Sequence, residues 1–257
     1  MSLVTYHCQE RIGYITLNRP EKRNALNSQM VSEIKEAFNK AEKDESCKVI
    51  VLKANGQAFS AGADLAYLQQ LQSNTFEENY ADSSHLKGLF EQIYWNKKVV
   101  IAQVEGHAIA GGCGLATVCD FVFSVPDANF GYTEVKIGFV PAIVMFFLLR
   151  KIGEKRSKDL LLSGRLIKAQ EAAKLELINE VVPAEEIEEQ VNSFAAKMIA
   201  TCSADSLALT KEMIASIQHL EGKDALDYAA KSNAGARETA DCKRGIAAFL
   251  NKEKIKW

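Results

Sequence analysis

"AIAGGCGLATVCD", residues 108–120, sets Gly111, Gly112 and Gly114 between an apolar run and a segment that otherwise reads as helix. Each glycine inside a helix costs roughly 0.5–1 kcal/mol against alanine. The backbone here must therefore pack closely against a neighbour or keep its N–H groups open to a ligand. Just upstream, "VVIAQV" (99–104) is continuously apolar, the pattern of a strand buried on both faces. A second glycine-bearing stretch, "NGQAFSAGADL" (55–65), leaves the apolar strand "VIVLKA" (49–54) and passes Gly56 and Gly62 to Asp64, a good N-cap for a short helix. Both stretches stand where a strand hands over to a helix, so their N–H groups lack intrahelical partners and favour negative charge.

The surrounding pattern alternates strand and helix. "GYITLN" (13–18) reads as a strand, a helix from about Ser28 to Glu45 follows with Asn27 placed to cap it, and another helical stretch runs near Ser83 to Trp95. Beyond residue 140 strand signals nearly vanish, and 142–163, 168–175, 186–200, 204–219, 223–235 and 238–252 read as successive helices. The expectation is an α/β core over residues 1–200 and a helical region over 201–257. The chain has 257 residues, 47% of them hydrophobic, enough to bury a full-sized core. Its net charge of −2, with dispersed Lys and Arg, offers no basic field for nucleic acid or an anionic membrane. The apolar runs are too short to cross a bilayer and the start lacks a leader pattern, so the cytoplasm is the expected location. Cys8, Cys47, Cys113, Cys119, Cys202 and Cys242 show no metal-finger spacing and read as reduced thiols.

Three local motifs compete for the glycine sites. A dinucleotide fingerprint needs a glycine or alanine where Thr117 stands, and the Gly-Lys-Ser/Thr of a P-loop is absent. "AFSAG" has the outline of a nucleophile elbow around Ser60, with Asp120 and His219 following in hydrolase order, but Ser60 lies six residues beyond Ala54 and an elbow turns directly off its strand.

Taken together, "AFSAGADL", "VEGHAIAGGCGLATVCD" and "FGYTEVKIGFVP" resemble the enoyl-CoA hydratase/isomerase (crotonase) family. "LNRPEKRNALN" near the start, "LSGRLIKAQEAAKLELINEVVP" in the middle and "GIAAFLNKEK" at the end extend the resemblance over nearly the whole chain. It implies a spiral of β-β-α units with a helical C-terminal region used for trimer or hexamer assembly. It also implies an acyl-CoA thioester substrate whose carbonyl oxygen sits between the backbone N–H groups of Ala63 and Gly111. Lys22, Arg23, Ala25, Ala61, Asp64 and Leu65 would line the CoA groove, with Phe249 and Lys252 reaching CoA, often from a neighbouring subunit. No metal or redox cofactor is implied, since CoA arrives with the substrate. By the same resemblance Glu134 is the acid/base, and here the sequence departs from the family pattern: the first glutamate of the hydratases falls on Gly114.

Two carboxylates sharing one water ease its addition across a double bond, whereas a single carboxylate suffices to move a proton. The reading accordingly favours β,γ to α,β double-bond isomerisation over hydration. The alternatives are a hydratase of crotonyl- or 3-methylglutaconyl-CoA type that recruits a second group, or a CoA-ester- or RNA-binding relative without catalysis. His107, Tyr132, Glu91, His85 and Tyr67 are chemically able to be that second group, while Asp120 reads as a capping or pairing residue. Ile137, Val140, Pro141, Met145 and Phe146 suggest a restricted apolar acyl pocket; helix-core packing explains Met145 and Phe146 equally well.

Overall fold

The computed structural model describes residues 2–257. Its larger sheet has six strands: β1 (Val4–Gln9), β2 (Ile12–Leu17), β3 (Val49–Ala54), β5 (Val99–Val104), β7 (Phe121–Ser124) and β10 (Glu180–Val181), adjacent in that order. A smaller sheet holds β4 (Ala58–Ser60), β6 (His107–Ile109), β8 (Asn129–Gly131) and β9 (Ile167–Lys168). β1 pairs antiparallel with β2 and β9 antiparallel with β8, and every other pairing is parallel. The strands β2, β3 and β5 are almost wholly buried, as continuous apolar runs require when both faces are covered.

The chain climbs as repeated β-β-α units, the crotonase-type spiral. The first strand of each unit joins the larger sheet, the second joins the smaller one, and a helix returns the chain: β3, β4, then α2 (Leu65–Leu71) and α3 (Phe76–Tyr94); β5, β6, then α4 (Gly111–Thr117); β7, β8, then α5 (Ala142–Ser163). The helix α1 (Ser28–Lys43) begins at Asn27, whose side chain accepts from the Met30 N–H, and buries Met30, Val31, Ile34 and Phe38 at helical spacing. α3 starts earlier than its apolar pattern predicts. Its first turns are polar, and a reciprocal capping box between Thr75 and Glu78 holds the start.

Four lysines from other elements close helix C-termini by donating to carbonyls left without intrahelical partners. Lys98 reaches the Ala41 and Asp44 carbonyls at the end of α1, Lys151 those of Thr117 and Cys119 at the end of α4, and Lys211 that of Ile93 near the end of α3. Lys48 caps α7 (Ile187–Thr201) through the Ile199 and Cys202 carbonyls. After α6 (Ala169–Lys174) and α7, the helices α8 (Ala204–Ile217), α9 (Gly222–Ala236) and α10 (Ala240–Leu250) bury only Ser203, Ala215 and Ala248 over residues 201–257. Those helices have too little core of their own to stand apart from the rest. No helix among the described residues is long and apolar enough to cross a membrane.

Candidate active site

Three parallel strands of the smaller sheet end on one edge. Ser60 of β4 pairs with Ala108 of β6, and Ile109 of β6 with Gly131 of β8. Two or three residues past those partners lie Ala63, Gly111 and Glu134, so the register gathers them into one rim at the carboxyl ends of the strands, where open parallel sheets hold ligands. Ala63 is exposed, and Gly111 and Glu134 are half-buried.

The first loop is held by a short parallel bridge between Leu26 and Ala63. Its hydrogen bonds run from the Leu26 N–H to the Gly62 carbonyl at 2.7 Å and from the Asp64 N–H to the Leu26 carbonyl at 2.9 Å, which leaves the Ala63 N–H out of the ladder. In the second loop Ala110 adopts φ 50° and ψ −126°, a backbone conformation that costs an alanine about 1–3 kcal/mol. That twist sets the plane of the following peptide and hence the aim of the Gly111 N–H, which stands at the first position of α4 without an intrahelical acceptor. Neither amide donates to a protein acceptor among the described residues.

The three glycines have different jobs. A Cβ on Gly112 would lie 2.3 Å from the Ser60 carbonyl oxygen, so this glycine lets α4 sit directly on β4. At Gly114 a Cβ would lie 2.2 Å from Val144 Cγ1 and 3.0 Å from Phe90 Cε1, so α5 and α3 fill the space in which a side chain at 114 would begin. At Gly111 the nearest atom would be Leu26 Cδ1 at 3.5 Å, ordinary contact, so packing does not require that glycine.

Glu134 opens a short 3₁₀ turn, Glu134–Ile137, and its Oε2 is buried with no hydrogen-bond partner. Burial pushes its carboxyl above the usual carboxylate range. On the face of α4 beside it, burial raises the Cys113 thiol to about 12, with the Glu134 charge adding to the effect. A buried acceptor without a donor calls for an explanation, and a proton-bearing ligand supplies one.

The remaining candidates divide. Lys22 and Arg23 are exposed on the loop beside the Gly62 strand end, Ala25 is buried beneath them, and Ala61 donates its N–H to the Arg23 carbonyl at 3.0 Å. Leu65 is 81% exposed and begins α2. Asp64 caps α2 through the Ala66 and Tyr67 N–H groups and pairs with Arg19 at 2.7 Å, so both its oxygens are engaged within the protein. Pro141 is buried at the start of α5, below the exposed Ile137, Phe139 and Val140. Phe249, 81% exposed, and Lys252 stand at the end of α10, which packs chiefly on α8; within one chain they are not brought to the rim. Ser60 is buried and donates to the Asn24 carbonyl, an arrangement unlike an exposed nucleophile. His107 points to solvent and accepts from the Asn129 N–H, His85 contacts Ser32, Glu91 pairs with Lys87, and Tyr67 bonds Asp82. Asp120 accepts from the Val100 N–H and pairs with Lys211.

Two positioning residues escape a reading of the sequence: Arg19, through Asp64, and Asn24. Fully buried at φ 51°, Asn24 donates to the Asn55 and Ala58 carbonyls at 2.9 and 2.8 Å and accepts from the Arg19 N–H at 2.8 Å. Asn24→Ala strands these groups and is expected to lose about 2–3 kcal/mol of stability in urea unfolding, with weakened acyl-CoA binding. Unchanged stability would remove Asn24 from this role.

The sequence model of the family described as Enoyl-CoA hydratase/isomerase matches residues 7–257. The chain belongs to this family. A Thermus thermophilus protein whose name assigns it as an enoyl-CoA hydratase is 43% identical over 241 residues, covering 94% of this chain and 95% of that one. A crotonyl-CoA hydratase of Syntrophomonas wolfei is 33% identical over 252 residues, covering 96% and 94%. The crystal structure of an enoyl-CoA hydratase/isomerase from Marinobacter aquaeolei superposes with a TM-score of 0.92 at 32% identity, covering 100% and 99%. The protein is thus an enzyme of the hydratase/isomerase family, not a relative that kept only the fold.

Proposed function

We propose that the enzyme acts on a short or branched enoyl-CoA thioester through an enolate, with Glu134 as the single acid/base, and that its preferred reaction is movement of a double bond from β,γ to α,β. The carbonyl oxygen of the thioester lies between the Ala63 and Gly111 N–H groups. Glu134 takes the C2 proton, the electron pair is delocalised into the thioester oxygen, and the same proton returns at C4 as the double bond shifts. One proton changes carbon and nothing else is consumed. The two fixed amides stabilise the charge that develops, and each such donor is typically worth about 2.7–4 kcal/mol. A carboxyl raised by burial is the better matched to proton transfer near neutral pH.

The observation that carries this reading is the packing at Gly114. Val144 and Phe90 occupy that space, so the second carboxylate that would share a water is missing and an apolar wall stands in its place. Hydration with Glu134 and another group is the second reading, favoured by the hydratase names of the relatives. Lys22 and Arg23 supply cations suited to the CoA phosphates, and Ala25, Ala61, Asp64 and Leu65 shape the groove beside them. The C-terminal region, residues 201–257, serves assembly into a trimer or hexamer. There Phe249 and Lys252 of one subunit reach the CoA of another, which fits their exposure in the single chain.

The test follows the absorbance of the conjugated thioester with a 3-enoyl-CoA, crotonyl-CoA and 3-methylglutaconyl-CoA in separate assays. A rise with the 3-enoyl-CoA, without loss from the other two, is expected. Loss of absorbance from either conjugated substrate, with no rise from the first, overturns isomerisation in favour of hydration.

A further inference from the structure

Among the described residues, the segment bearing Glu134 and the helix bearing Gly111 are joined by a backbone bond from the Ala110 N–H to the Gly131 carbonyl at 2.7 Å, by contacts of the Cys113 thiol with Gly131 and the Tyr132 hydroxyl, and by a hydroxyl–hydroxyl bond. The last links the Tyr132 and Thr117 hydroxyls at 2.9 Å in a buried setting. Thr117 closes α4, six residues or about 9 Å along the axis from Gly111. Cys113 and Thr117 share a face of that helix, and the fully buried Tyr132 ring lies against it. Gly112 meets β4 and Gly114 meets α5 on other faces, so these contacts fix where α4 sits. The Tyr132 contact, by contrast, belongs to the segment that carries the carboxylate, two residues before it.

We infer that the Tyr132–Thr117 hydrogen bond is a positioning clamp that fixes the Glu134 carboxylate relative to the Gly111 amide. The clamp acts through Glu134 and never touches substrate; the inference rests on the reading of Glu134 as the acid/base. The backbone bond at Ala110 is a pivot, and the clamp stops rotation about it. A displacement of about 1 Å at a reacting group can cost on the order of a hundredfold in rate.

The test uses Tyr132→Phe, Thr117→Val, their double variant and Thr117→Ser, assayed with a 3-enoyl-CoA beside Glu134→Gln. Each single variant is expected to lower kcat by about ten- to hundredfold with KM unchanged, because the groove is intact and only the carboxylate is misplaced. The double variant should fall no further than Tyr132→Phe, which already lacks the bond that Thr117→Val removes. Thr117→Ser keeps the hydroxyl and should restore most of the rate, a rescue that loss of general stability does not give. Wild-type kcat in folded Tyr132→Phe overturns the clamp, as do independent, multiplicative effects of the two single variants. Should Tyr132→Phe not fold, Thr117→Val and Thr117→Ser decide the matter between them. If Glu134→Gln keeps activity, the acid/base reading itself falls; if Glu134→Gln is inactive while the clamp variants are unimpaired, only the clamp does.

Discussion

Glu134→Gln is expected to reduce turnover of the enoyl-CoA substrate by about 10²–10⁴-fold while the protein still binds acyl-CoA. The amide matches the carboxylate in shape but cannot accept the C2 proton, and the Ala63 and Gly111 N–H groups are untouched. The same substitution has a second signature, in stability. Burial raises the Glu134 carboxyl in the folded protein, so below the ordinary carboxylate range the group is protonated in both folded and unfolded chains and costs nothing. As pH rises, the unfolded chain ionises first, and the folded state is progressively disfavoured until the folded-state value is passed. The unfolding free energy of Glu134→Gln relative to wild type must therefore grow between acid and neutral pH, as denaturant titrations at several pH values would read. A constant difference would mean that the carboxyl is not held in its neutral form by burial. For the wild-type enzyme the same shift places the acid limb of kcat/KM above the ordinary carboxylate range.

Restoring the missing glutamate should fail on steric grounds. Gly114→Glu puts a Cβ 2.2 Å from Val144 Cγ1, a clash that overpacked cores resolve at about 1–3 kcal/mol, and then leaves a carboxylate to be buried beside Phe90. The expected variant is less stable by more than about 3 kcal/mol and gains no hydration of crotonyl-CoA. Val144→Ala removes the 2.2 Å contact and leaves the 3.0 Å contact to Val144 Cβ, which a small backbone shift relieves. Alone, Val144→Ala should destabilise by opening a void. Combined with Gly114→Glu it should stabilise, a reversal of sign that only a direct contact produces, and crotonyl-CoA hydration should rise above that of Gly114→Glu. Additive losses in this cycle would show that Val144 does not set the reaction preference.

How much of this could be read from the sequence follows from how local each signal is. The strands at 49–54 and 99–104 and the helices from 142 onward are set by apolar runs, periodicity and capping residues inside each segment, and the structure has them within a few residues of the expected bounds. Asn27 and Asp64 announce their helices because an N-cap acts over three residues. The two-residue strands β9 and β10 carry no pattern to detect, and the polar first turns of α3 hide its start, although the Thr75-x-x-Glu78 spacing marks it. At the site, the resemblance points to Ala63, Gly111 and Glu134, and the strand register gives them a common edge. The sequence offers both close packing and open N–H groups as reasons for Gly111, Gly112 and Gly114, and the structure divides the two roles among them. The sequence did not show the obstacle at Gly114, because Val144 lies thirty residues away and only the return of α5 brings it there. Arg19 and Asn24 were silent for the same reason: their partners are distant in the chain, and a lone polar residue in a loop has no period.

Exchange of the C2 proton of a saturated acyl-CoA in deuterated water, followed by NMR, isolates the enolate step from the fate of the double bond. Exchange by the wild-type enzyme is expected, with its loss in Glu134→Gln and its persistence in Lys22→Ala once the ligand is saturating. Exchange that continues undiminished in Glu134→Gln would contradict the assignment of Glu134 as the acid/base, because a base other than this carboxylate would then be removing the proton.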